Sequence, residues 1–138
     1  MAAIVGGTFS ILHRGHKTLL EEAIKTGEKV IIGLTSDEYA EKNKIYPPVK
    51  YSIRYRNLYS YMEKRTQNFE IHPIDDRNGN APFEKDYHYI VVSPETYRRS
   101  LKINEMRVAR GLQPLNIIKV NYVLAEDLFP ISSSRIIS

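Results

Sequence analysis

Apolar residues recur along this chain in two rhythms. Residues 2–6 (AAIVG), 29–36 (KVIIGLTS), 69–74 (FEIHPI), 87–93 (YHYIVVS) and 115–123 (LNIIKVNYV) are short, mostly apolar runs, and they predict five buried strands. Between them the spacing turns helical: Leu19, Leu20, Ala23 and Ile24 follow His16 on one face, and Gly27 closes that segment. "SDEYAEKN" (36–43) sets a serine cap before two acids, which predicts a short helix. Helices are also predicted over 52–66 and over 94–111, the second ended by Gly111, and "ISSSRIIS" (131–138) begins a last one. Residues 45–50 (IYPPVK) form a loop because adjacent prolines disrupt both ladder and helix, and 75–86 (DDRNGNAPFEKD) is polar loop. Strands that alternate with helices and lack a polar face predict an α/β fold. The expectation is a Rossmann-like doubly wound sheet of about five parallel strands with helices on both faces. At 138 residues the chain is expected to form one domain, 1–138.

Composition narrows the chemistry. There is no cysteine, so thiolate chemistry and disulfides are out. The four histidines show no metal-ligand spacing, and no protein-held metal is expected. No apolar run is long enough to span a bilayer and no signal pattern opens the chain, which points to the cytoplasm and to no membrane partner. The net charge of +4 suits a small anionic ligand as well as a nucleic acid. The ten tyrosines are scattered rather than interleaved with a basic stripe, so they are read as packing residues and no nucleic-acid partner is expected. Asp75 and Asp76, ahead of Asn78-Gly79, are read as turn formers.

One stretch stands apart. "GGTFSILHRGH" (6–16) puts two glycines, two hydroxyls and two histidines between the first strand and the first helix. Glycines let backbone approach a ligand, and N–H groups at the helix start favour an anion. Ligands in such sheets bind beyond the carboxyl ends of the strands, which is where this loop falls. Neither G-x-x-x-x-G-K-[ST] nor G-x-G-x-x-G is present.

The stretch resembles the GTFDxxHxGH motif of the nucleotidyltransferase superfamily, and "ISSSRI" (131–136) resembles its second hallmark, ISSTxIR. "GLTSDEYAEKNK", "YIVVSPET", "INEMR" and "PLNIIKVNYVLAED" are similar to the archaeal-type phosphopantetheine adenylyltransferases. The departures are Ser10 in place of the usual aspartate, "EDLFP" ahead of the serines, and an end two residues after Ile136. The resemblance implies adenylyl transfer from ATP to 4′-phosphopantetheine, giving dephospho-coenzyme A and pyrophosphate, with Mg²⁺ accompanying ATP. It implies Thr8 and His16 at the reacting phosphates, and Gly7, Phe9, His13, Ser132, Ser133, Ser134 and Arg135 as further ATP contacts. Lys42, Lys44 and Arg54 resemble the basic residues that meet the acceptor phosphate. Asn104 and Arg107 are candidate substrate contacts, a polar helix face being the alternative. Other readings stay open: a different phosphorylated acceptor (FMN, nicotinamide mononucleotide or glycerol phosphate), or a non-catalytic nucleotide- or RNA-binding module. Monomer and homo-oligomer are both compatible with the sequence.

Overall fold

The computed structural model describes residues 1–10, 12, 14–43 and 49–121. Its elements are β1 (Ala2–Gly7), α1 (Arg14–Lys25), β2 (Lys29–Thr35), α2 (Asp37–Lys42), α3 (Tyr51–Glu63), β3 (Phe69–Ile74), β4 (Tyr87–Val92), α4 (Tyr97–Ala109) and β5 (Asn116–Lys119). The expected last helix and residues 45–48 of the Pro-Pro loop lie outside the described residues.

All four strand pairings are parallel, in the order β3-β2-β1-β4-β5. Strand residues alternate between two cores. Ala3, Val5, Val30, Ile32, Leu34 and Val91 meet Leu20 and Ala23 of α1 and Leu58 and Met62 of α3. Ala2, Ile4, Ile31, Ile90 and Val92 meet Ile103 of α4 and the flanking Ala81 and Leu115. The sheet is therefore covered on both sides, which explains why its strands read as unbroken apolar runs rather than alternating ones.

The path follows from crossover handedness. The chain winds outward from β1 through β2 to β3, with α1 and α3 on one face. It then returns to the other side of β1 and winds through β4 to β5, with α4 on the opposite face. The direction reverses between β1 and β4, where doubly wound sheets bind ligands. The return from β3 to β4 (residues 75–86) consists of bends and turns rather than a helix. No helix from that connection covers the second face beside β1 and β2, and a cavity opens there.

Two clamps brace the elements on each face. Between α1 and α3, Glu21 accepts hydrogen bonds from the Tyr61 hydroxyl and from Arg65 Nε, both at 2.8 Å. These bonds hold the Glu21 carboxyl below its usual range, while burial and the Glu21 bond push Tyr61 up to about 12. On the other face Arg107 is 1% exposed and donates to the carbonyls of Gln113 (2.7 Å), Ala81 (2.7 Å), Glu84 (2.8 Å) and Tyr87 (3.4 Å). Asn104 holds the backbone of Leu115 through both ends of its amide, at 3.0 and 2.7 Å. Arg107 and Asn104 were candidate substrate contacts, with a polar helix face as the alternative; in this structure they bond to backbone. Their polar groups serve backbone that leads into β4 and β5. Arg107→Met should strip donors from up to four carbonyls and cost about 3 kcal/mol or more, read as a lowered denaturant midpoint. An unshifted midpoint would contradict that role.

Candidate active site

The loop after β1 is held by sterics. Gly7 lies so close to the ring of Phe9 that a Cβ there would sit 3.0 Å from Cε2. Phe9 itself has φ +48, left-handed backbone that a bulky residue rarely adopts, and it is 2% exposed. Its ring lies 4.8 Å from the imidazole of His16, centroid to centroid. His16 is the third residue of α1 and is 9% exposed. Burying the Phe9 ring therefore turns the backbone of the loop and orients the histidine on the helix beside it. Ser10 is also buried, and its Oγ has no hydrogen-bond partner among the described residues. It does not brace the loop through backbone amides as a longer acceptor side chain could.

Arg54 fastens this loop to its neighbours. Expected at the acceptor phosphate, it has its side chain wholly buried in this structure. Nη1 donates to the carbonyls of Thr8 (3.0 Å) and Thr35 (2.8 Å), Nε donates to the carbonyl of Val49 (2.7 Å), and Nη2 pairs with Asp37 Oδ1 (3.2 Å). The same Asp37 oxygen accepts the N–H of Tyr51 at 2.7 Å, while Ser36 caps α2 through the N–H of Tyr39 at 3.1 Å. One guanidinium thus ties together the loop after β1, the end of β2, the start of α2 and the start of α3.

A chain of hydroxyls runs outward from it. Arg54 Nη1 reaches Thr35 Oγ1 at 3.4 Å, and the Thr35 hydroxyl donates to Thr8 Oγ1 at 3.0 Å. Thr8 accepts, so its own proton is left for a donor bond elsewhere. Bonds in series polarise one another, which makes Thr8 a better donor.

Thr8 borders a cavity of about 410 Å³ above the second face of the sheet. Gly6 and Gly7 border it too, with Thr35 and Tyr39 on the β2–α2 side, Arg77 on the return from β3, and Thr96 and Arg99 at α4. Of the expected residues, the structure brings Gly7 and Thr8 to this cavity and sets Phe9 and His16 against each other in the same loop-helix unit. Lys42 is exposed at the end of α2. His13, Lys44, Ser132, Ser133, Ser134 and Arg135 lie outside the described residues. Asp76 shapes a turn as expected, its Oδ1 accepting the N–H groups of Asn78 and Gly79 at 2.8 and 2.7 Å. Among the described residues no three His, Cys, Asp or Glu side chains gather as a metal cage, and no helix is long and apolar enough to cross a membrane.

The model of the cytidylyltransferase-like family matches residues 4–138. The chain belongs to the cytidylyltransferase-like family. Within it, the chain is 69% identical over 138 residues to the bifunctional phosphopantetheine adenylyltransferase/NTP phosphatase of Thermoplasma volcanium, and spans 42% of that protein's length. It is 46% identical over 137 residues to the phosphopantetheine adenylyltransferase of Methanosarcina mazei, covering 96% of this chain and 87% of the relative. Among solved structures, a protein of unknown function from Archaeoglobus fulgidus superposes with a TM-score of 0.79 at 39% identity, over 87% of this chain and 89% of the other. In this cytidylyltransferase-like chain, Thr35, Asp37, Arg77 and Arg99 are the residues that motif reading passed over. Thr35 and Asp37 stand in the quoted "GLTSDEYAEKNK", but only the fold sets them against Arg54.

The network makes a clear prediction for Arg54→Lys. An ammonium cannot serve four residues at once in place of the planar fork. We expect a stability loss of about 3 kcal/mol or more, measured by chemical denaturation. A wild-type midpoint would show that the guanidinium does not hold the loop.

Proposed function

We propose that this chain transfers the adenylyl group of ATP to 4′-phosphopantetheine, releasing pyrophosphate and forming dephospho-coenzyme A. The observation that carries the reading is the match to the Methanosarcina mazei enzyme along nearly its whole length. The activity common to that name and the Thermoplasma volcanium name is phosphopantetheine adenylyl transfer. The site's chemistry supports it. An oxygen of the acceptor phosphate attacks the α-phosphorus, the bond from that phosphorus to the bridging oxygen breaks, and pyrophosphate leaves. The nucleophile is already ionised at neutral pH, so no general base and no covalent protein intermediate are needed. What the protein must supply is alignment of two polyanions and donors for the charge that develops.

In this reading Thr8 donates to a non-bridging α-phosphate oxygen, its geometry set by Thr35 and Arg54. His16 donates to the same phosphate as phosphorus becomes five-coordinate. Gly7 and Phe9 contribute close-approaching backbone. His13, Ser132, Ser133, Ser134 and Arg135 hold the β- and γ-phosphates. Lys42 and Lys44 approach the acceptor from the α2 side. Mg²⁺ travels with ATP, held by phosphate oxygens and water, and supplies charge neutralisation on the leaving group. The reaction belongs in the cytoplasm, with small-molecule partners and no nucleic acid, the chain acting as a monomer or a homo-oligomer.

The test is pyrophosphate release from ATP across an acceptor panel. Turnover is expected with 4′-phosphopantetheine. Turnover with FMN, nicotinamide mononucleotide or glycerol phosphate in its place would overturn the acceptor, and none with any would overturn the reaction. His16→Gln, which limits the packing loss against Phe9, should lower kcat by roughly 10²–10³ while ATP affinity changes far less. Thr35→Val should lower kcat by about tenfold through loss of one donor bond, and Thr35→Ser should restore it. Equal losses in Thr35→Val and Thr35→Ser would assign Thr35 to packing instead.

A further inference from the structure

We propose that two copies of this chain pair edge to edge through β3, in antiparallel register about a twofold axis at Ile71. The pairing is independent of the adenylyl-transfer reading, because it uses none of the residues to which that reading gives a role.

β3 is the outermost strand on its side of the sheet, so half of its backbone groups have no ladder to join among the described residues. The N–H of Val30 donates to the carbonyl of Asn68 at 3.0 Å, and that of Ser36 to the carbonyl of Ile74 at 2.9 Å. In register with β2, the even-numbered residues from 68 to 74 therefore turn their polar groups inward, and Phe69, Ile71 and Pro73 turn theirs outward. Pro73 offers a carbonyl and no N–H, which keeps the outward ladder short. The side chains divide between the two faces. Phe69 and Ile71 pack on the core beneath α1 and α3. Glu70 and His72 stand on the second face, where His72 Nε2 meets Glu70 Oε1 at 2.8 Å and Lys29 meets Glu70 Oε2. Lys29, and then His72, holds the Glu70 carboxyl below its ordinary value. Beside the edge, Tyr55 and Tyr59 of α3 are exposed. Their rings stack at 6.0 Å, and the Tyr59 ring lies 5.2 Å from that of Phe69, so this aromatic stripe leans over β3.

The edge is complementary to itself. With Ile71 opposite Ile71 of the second copy, these two residues exchange both backbone bonds. Each Phe69 N–H then reaches the Pro73 carbonyl of the other copy, so the missing Pro73 N–H leaves only the Phe69 carbonyl outside the ladder. Glu70 falls opposite His72 of the second copy, and His72 opposite its Glu70. Both pairs occupy the non-hydrogen-bonded positions, where facing side chains approach closest. A slip of two residues sets Glu70 against Glu70 or His72 against His72, so charge selects the register. On the other face α3 covers β2 and β3, its Leu58 and Met62 sharing a core with Val30, Ile32, Phe69 and Ile71. Paired edges about 4.8 Å apart place the two α3 helices roughly 10 Å apart, the spacing at which helices pack. Tyr55 and Tyr59 of the two copies fill that seam, which covers the stripe that a single copy leaves in water. The same patch serves both sides, so the pairing closes as a dimer and does not grow into a filament. The strands of the two copies run in opposite directions, which points the two reactive ends away from each other.

The experiment has two arms, both on the whole chain. In the first, sedimentation velocity over a range of concentrations should show a dimer. Tyr59→Glu should weaken it by about thirtyfold or more, with the wild-type circular dichroism spectrum as the control for folding. The second arm reads the register by cross-linking, which the absence of native cysteine makes specific. Residues 70 and 72 of opposite copies have Cα atoms about 4.5 Å apart, within the reach of a disulfide. Two residues 70, or two residues 72, lie about 7–8 Å apart, beyond that reach. An oxidised equimolar mixture of Glu70→Cys and His72→Cys chains should therefore form a disulfide-linked dimer, and neither chain alone should. The mixed pair also keeps one Glu70–His72 contact across the axis. A chain that stays monomeric up to about 1 mM would overturn the proposal. So would a dimer that Tyr59→Glu leaves intact, or a mixture that cross-links no more than either chain alone.

Discussion

A single buried cation organises the reactive end of this molecule. A guanidinium removed from water must be met by acceptors in every direction in which it can donate, or the fold loses several kcal/mol. Arg54 meets that demand with the carbonyls of Thr8, Thr35 and Val49 and the carboxylate of Asp37. These groups belong to segments far apart in sequence, so satisfying one charge fixes where each of them ends. The strained backbone at Phe9 persists because its ring is buried and the neighbouring carbonyl of Thr8 is pinned. The hydroxyl of Thr8 is then presented outward with little freedom left to lose when a ligand arrives, which is what catalysis by alignment requires.

The second constraint is topological. Handed crossovers place α1 and α3 on one face and α4 on the other, and the helix-free return from β3 leaves open space over part of the second face. The cavity is a consequence of that path. Its donors cluster near the carboxyl ends of the strands, where the loop after β1 lies, and among its isoleucines Ile4, Ile31 and Ile90 come from strand positions already committed to the second core. Polar groups near the strand ends and apolar side chains along the sheet are separated by the architecture itself.

Much of this was legible in the sequence because it depends on local rules. Strand runs, the serine cap at Ser36 and the turn at Asp76 all follow from periodicity and from short-range hydrogen bonding, and all stand where expected, save that the fifth strand is Asn116–Lys119 within the longer run read at 115–123. The position of Gly7 and Thr8 beside the cavity was legible because a loop after a first parallel strand lies at the carboxyl end of the sheet. The arginines were not. Arg54 lies on a helix with an ordinary mixture of polar and aromatic residues, and Arg107 stands in a polar-looking "INEMR". Whether an arginine faces solvent, ligand or buried carbonyls is decided by backbone that arrives from elsewhere in the chain. The same limit applies to Arg77 and Arg99, which only the fold brings to one cavity.

The most direct measurement of the central claim is a crystal structure of the chain with dephospho-coenzyme A bound. The account predicts the adenylyl phosphate within about 3 Å of Thr8 Oγ1, the Thr35–Thr8 and Arg54–Thr35 bonds unbroken, and the uncharged arm along the isoleucines. A product bound with its phosphate away from Thr8, or a loop in which Arg54 has released Thr8 and Thr35, would contradict it.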